Sequence, residues 1–260
     1  YRRQRQMCIR DRSYTINVEV MKMWPFYYGL YMNKYYLIGT VFVILAALLA
    51  VWAQMKVQSA YSRYKKIPNS KGMTGAQIAR EILDSEGLYN IQIFEVKGNL
   101  SDHYNPGKKT INLSSDIYHG TSIASLAVAA HECGHAIQYK DGYVPISLRN
   151  MILPIANVGQ YLGWIAIAVG LLMGHTKIAW MGFALMCGIL AFQLVTLPVE
   201  FNASSRALVI LKTRYLNEGE YAGAKSMLSA AAMTYVAAMI STLASMLRIF
   251  LIILGNSRDD

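Results

Sequence analysis

The chemistry in this sequence is concentrated in one pentapeptide, His131-Glu132-Cys133-Gly134-His135. On a helix, residues i and i+4 share a face, so the two imidazoles would stand about one turn apart. Nitrogens so placed can bind one Zn2+ at about 2.0–2.1 Å. Glu132 follows the first histidine directly, and from there its carboxylate can reach an activated water without being a ligand itself. Zinc lowers the pKa of such a water toward about 7. Glu132 would take its proton during attack on a carbonyl and return it to the leaving amine. Five histidines in 260 residues make a chance match rare, about three in a thousand. The competing reading is a helix with two structural histidines. It leaves a His/Glu face without purpose on a stretch that is otherwise small and apolar, SIASLAVAA.

A catalytic zinc needs a third protein ligand and an open position. The extended pattern, with a third histidine six residues past His135, fails because that position is Asp141; where the same pattern wants glycine, the chain has Gln138. A glutamate from a later helix is the alternative, and Glu200 follows Pro198 at the end of a very apolar run. A carboxylate there is costly unless paired or bound to metal. The rival assignment is a surface pair with Arg206 or a lysine. His175 lies on the opposite face of the expected membrane layout and is a poor ligand candidate.

The elements that must position these groups are mostly membrane helices. Hydrophobic residues make up 54% of the chain, charged residues 15%, and the mean hydropathy is +0.27. A soluble domain carries about 25% charged residues, so disorder and a freely soluble protein are both excluded. Cys8, Cys133 and Cys187 are odd in number and form no Cys-x-x-Cys pair, so no disulfide framework or cysteine zinc site is implied. The net charge of +10 reads as cytoplasmic loops and not as a nucleic-acid surface. About 20 apolar residues cross a bilayer, and four runs qualify: 37–53, 151–173, 178–197 and 227–254.

The expected organisation has six parts. Residues 1–20 read as a non-native or disordered tail, since their first half is basic and aperiodic. Residues 21–53 form a membrane anchor, and 54–150 an α+β segment carrying the HECGH helix. Two spans follow over 151–198, then a third-ligand helix over 199–226, then a last span and tail over 227–260. Arg248 in that last span would snorkel or face a partner. Lysines and arginines concentrate in 54–150 and 198–226, which the positive-inside rule places in the cytoplasm. Two crossings separate His135 from Glu200, returning the chain to the same side. Within 54–150, Thr74 is a candidate N-cap. Strands are expected near 91–96 and 109–113, pairing as a two-stranded ribbon across the Asn105-Pro106-Gly107 turn. A helix then opens near Ser114 or Thr121 and runs through Tyr139.

The strings SDHYNP, INLSSDIY, AVAAHECGHAIQ and LPVEFNASSRAL resemble the YugP-like neutral zinc metallopeptidases, a family of bacterial membrane proteins, over roughly 24–254. The resemblance implies a zinc-dependent membrane endopeptidase of zincin-like build, acting on polypeptide at the cytoplasmic membrane with one zinc per chain. His131, His135 and Glu200 would be the ligands and Glu132 the catalytic acid/base. The layout is more distantly similar to the prenyl-protein and heat-shock membrane proteases, whose second helix carries Glu-x-x-x-Asp. Here the Asp position is Ser204, so Ser204 or Asn202 would orient a ligand histidine. By the same likeness Lys109, Thr110, Ile111, Asn112 and Leu113 form an edge strand that pairs with extended substrate. His103, Tyr104, Arg206 and Tyr215 are candidates to stabilise an oxyanion. The alternative function is a non-hydrolytic, zinc-binding membrane scaffold or chaperone, against which an intact Glu132 argues.

Overall fold

The computed structural model describes residues 34–256; the expectations for residues 1–20 lie outside the described residues. Helix α1 spans Lys34–Tyr64 and α2 Gly75–Ser85; strands β1 (Gln92–Val96), β2 (His103–Asn105) and β3 (Thr110–Ser114) follow. Then come the short α3 (Ser115–Tyr118), α4 (Ile123–Lys140), α5 (Val144–Leu172), α6 (Thr176–Arg214) and α7 (Glu218–Asn256). The protein is mainly helical; among the described residues four helices (α1, α5, α6 and α7) are long and apolar enough to cross a membrane, and there is one small sheet. Leu48, Val51, Ile155 and Val158 are among many large apolar side chains left exposed on them, as lipid-facing positions require. These helices outrun their apolar stretches. In particular, α6 continues through Pro198 to Arg214. Proline there removes one backbone donor, yet the helix persists and carries Glu200 within it.

The chain divides into two compact units: described parts of Tyr1–Leu45 and Leu243–Asp260 with Val158–Cys187, and Ala46–Asn157 with Gly188–Thr242. In the first, small residues let helices touch backbone to backbone. A Cβ on Gly163 would lie 2.9 Å from the Gly182 carbonyl oxygen, and one on Gly170 2.4 Å from the Ala179 nitrogen. Arg248 packs along Gly39, where a Cβ would sit 2.7 Å from its Cα. Its Nε is buried with no hydrogen-bond partner among the described residues.

The second unit holds a hydrophobic core built on α4. Thr74 caps α2 with a full capping box, its hydroxyl accepting from the Gln77 amide. The apolar stripe Ile78, Ile82 and Leu83 of α2 is fully buried in one cluster with Leu126, Ala130 and Cys133 of α4. Alanines on α4 keep that contact close. The helix expected near Ser114 or Thr121 is two helices: Ser114 stands at the N-cap of α3, and Ser122 caps α4 by accepting from the Ser125 amide.

The sheet corrects the two-stranded ribbon. Its order is β1-β3-β2, with β1 parallel to β3 (Ile93 against Ile111) and β2 antiparallel to it (Tyr104 against Ile111). The Asn-Pro-Gly turn joins β2 to β3, with the Asn105 side-chain oxygen accepting from the Lys108 amide and Lys109 in the left-handed region at φ 52°. The 91–96 strand enters from the other side. Ile82 is fully buried in the core cluster, which predicts that Ile82→Ala costs about 2–5 kcal/mol. Thermal unfolding in detergent checks it, and an unchanged midpoint would deny α2 its role in holding α4.

Candidate metal centre

Helix α4 turns its alanine-rich face to the core and its other face to α6. At the crossing there is no room for a side chain: a Cβ on Gly134 would fall 2.6 Å from the Ala203 carbonyl oxygen and 3.2 Å from its Cα. Gly134 therefore lets the backbone of α6 come against the motif itself. The neighbouring Cys133 points the other way, fully buried, its thiol directed at the Ala79 carbonyl. Burial pushes that thiol's pKa up, so it stays protonated and makes no metal ligand.

His131, His135 and Glu200 meet as a consequence. Their nearest ligand atoms all lie within 4.8 Å of one another. Glu200 Oε2 is 3.5 Å from His131 Nε2 and 3.6 Å from His135 Nε2. Those separations exceed an ordinary N–H···O bond of about 2.7–3.2 Å. They approach the spacing of about 3.3–3.4 Å between two vertices of a tetrahedron with 2.0–2.1 Å bonds. Glu200 is 4% exposed, and its Oε2 is buried with no hydrogen-bond partner among the described residues. A carboxylate oxygen so placed is costly unless a cation meets it. Two imidazoles and one carboxylate also match the donor set of a catalytic zinc site, so these residues fit the ion. Burial works against the imidazolium of His135, yet Glu200 and Glu132 beside it raise its pKa above the usual value. Proton and metal thus compete for the same nitrogen.

Glu132 is buried next to the trio. Ser204 lies beside a ligand candidate, its Oγ 3.1 Å from His131 Nδ1. Asn202 touches neither histidine; its Oδ1 accepts from Gln138 Nε2 at 3.0 Å and from Arg206 Nε at 2.8 Å. The contact to His135 Nδ1 comes instead from Gln138 Oε1, at 3.0 Å. Of the edge strand expected over Lys109, Thr110, Ile111, Asn112 and Leu113, the strand is present but the edge position is not. Lys109 belongs to the turn, and Thr110–Leu113 lie in the central strand, paired on both sides. Strand addition at this sheet is open only along the outer edges of β1 and β2.

The four oxyanion candidates have structural partners. His103 engages Ser101 and Asn112, Tyr104 packs on Tyr139 with ring centroids 5.5 Å apart, and Arg206 pairs with Asp141. Tyr215 lies under Lys71. Sequence reasoning missed Tyr235 of α7, whose hydroxyl interacts with Glu200 and which has Glu132 and Arg149 within electrostatic reach. It also missed Gly134 and Gln138. Only the polarity of Tyr235 and Gln138 in apolar surroundings could have flagged them.

A family model described as "putative neutral zinc metallopeptidase" matches residues 39–254. The chain belongs to that family. It is similar to a protein of Bacillus subtilis (strain 168) named "Putative membrane protease YugP", with 42% identity over 222 residues, 85% of this chain and 98% of that protein. No solved structure matches. Membership supports a protease role in a membrane, with zinc as the metal and polypeptide as the substrate class.

The close approach at Gly134 generates a direct test. Gly134→Ala must push α6 away from α4 and is expected to weaken zinc retention about tenfold or more while α4 keeps its helicity. Metal analysis after dialysis against a mild chelator, with circular dichroism alongside, checks it; full retention would show that the crossing tolerates a methyl group.

Proposed function

We propose that this chain is a membrane-bound zinc endopeptidase that hydrolyses peptide bonds at the cytoplasmic face, with one zinc per chain held by His131, His135 and Glu200. The observation that carries the reading is the convergence of two imidazole nitrogens on a buried carboxylate oxygen that has no hydrogen-bond partner among the described residues. Bound there, zinc supplies Lewis acidity, polarising the scissile carbonyl and making water acidic near neutral pH.

The protein groups do the rest. Glu132 lies next in sequence to His131, is buried within electrostatic reach of His135, and serves as the general base that takes the proton of the attacking water. It then hands that proton to the departing amine, so the carboxylate is regenerated within one turnover. Ser204 holds His131 from behind. Tyr235 stands beside Glu200 as a hydroxyl donor available to charge that develops on the carbonyl oxygen. The apolar helices around the site exclude bulk water, which strengthens each of these interactions. The placement at the cytoplasmic side rests on the excess of lysine and arginine flanking the 54–150 and 198–226 segments.

Two measurements test this. Glu132→Gln is expected to keep its zinc but lose about 10²–10⁴-fold in cleavage of an unfolded protein such as casein, whereas Glu200→Ala loses zinc and activity together. Wild-type rates in Glu132→Gln would show that cleavage does not pass through the Glu132 carboxylate and overturn the reading. For orientation, a cysteine introduced near residue 100 should react with a membrane-impermeant reagent only after the cells are opened, and one near residue 175 in intact cells. The reverse pattern would put the site on the outer face.

A further inference from the structure

Gln138 is fully buried, although it carries a polar amide and belongs to no part of the His-Glu-x-x-His motif. It stands three residues past His135, on the same side of α4. Its Oε1 lies 3.0 Å from His135 Nδ1, and its Nε2 lies 2.8 Å from the Val199 carbonyl oxygen and 3.0 Å from Asn202 Oδ1. One amide therefore joins a metal-ligand histidine to the residues on both sides of Glu200.

The direction of every bond in this chain is fixed from its far end. Arg206 can only donate, and its Nε meets Asn202 at 2.8 Å, so that atom of Asn202 is its oxygen. An oxygen there requires the nitrogen of Gln138 to face it, and the Val199 carbonyl, an acceptor only, requires the same. The oxygen of Gln138 then faces His135, whose Nδ1 must carry the hydrogen. In the neutral imidazole the lone pair is then left on Nε2, the nitrogen turned to Glu200. Asp141, at the end of α4, pairs with Arg206 and anchors the series. His131 has no such guarantee, because the Ser204 hydroxyl can donate or accept.

We propose that Gln138 is a positioning residue that fixes His135 in its metal-binding tautomer and locks the Glu200 segment of α6 to α4. The inference rests on the reading of His135 and Glu200 as zinc ligands. Such outer partners of ligand histidines contribute about 10–100-fold to metal affinity.

The test uses the full chain in detergent and two variants, Gln138→Met, which keeps the side-chain length without the amide, and Arg206→Met, which frees the far end of the chain. Zinc affinity is measured by competition with a chelator, and the visible absorption of the cobalt-substituted protein reports ligand geometry. Gln138→Met is expected to bind zinc about 10–100-fold more weakly with an altered cobalt spectrum, and Arg206→Met to shift both in the same direction by less. Should Gln138→Met not fold, the Arg206→Met result decides alone. Wild-type affinity and spectrum in the folded variants, with Glu200→Ala losing its zinc, would overturn the role of Gln138 and leave the peptidase reading standing. A lower unfolding midpoint with an unchanged cobalt spectrum would likewise reduce Gln138 to a packing residue. Zinc retained in Glu200→Ala would instead overturn the ligand set itself.

Discussion

The candidate site depends on one buried carboxylate oxygen with no hydrogen-bond donor among the described residues. Placing an ionised group among apolar helices costs several kcal/mol unless it is paired or bound, and Glu200 is nearly inaccessible to solvent. The neighbours that could pair with it are two imidazoles held at 3.5 and 3.6 Å, too far for good hydrogen bonds and well placed to share an ion. Much of the second unit exists to keep those distances. The α2–α4 core fixes the motif helix from behind, and a glycine at the crossing brings α6 to it from the front. Substituting any of these elements moves the same three atoms.

The site was more legible than the scaffold around it. His131, Glu132 and His135 announce themselves because the spacing of a helix turns four positions into one face, and chemistry tolerates few other residue types there. Glu200 was readable because a carboxylate at the end of an apolar run needs an explanation. The four long helices followed from hydropathy alone, as bilayer thickness demands. What escaped detection depends on neighbours far away in sequence. Strand β2 has three residues, too few for any period to register, and without it β3 looked like an edge. The parallel entry of β1 is a tertiary fact that no alternation pattern encodes. Ile111 and Leu113 share one face by period two, but Thr110 and Ser114 are buried as well, which marks a strand covered on both sides.

The same limit applies to the residues behind the histidines. Serine, asparagine and glutamine near a motif look alike in a sequence, and Ser204 and Asn202 were chosen by analogy with an aspartate position. Ser204 does reach His131, whereas Asn202 acts one bond further out, through Gln138. Which amide faces which histidine depends on how α4 and α6 are rotated, and that rotation follows from Gly134. Glycine in the motif thus records a contact, although by sequence it could equally have been a neutral spacer.

The orientation of Cys133 has a consequence for durability. A thiol lodged between two candidate ligand histidines would ordinarily be a liability, since thiolates capture soft metals and are the first groups attacked by peroxide. Here the sulfur is turned into the α2 interface, shut off from solvent and kept in its neutral form. The sulfur that the motif carries is thus kept apart from the nitrogen and oxygen atoms that converge at the centre.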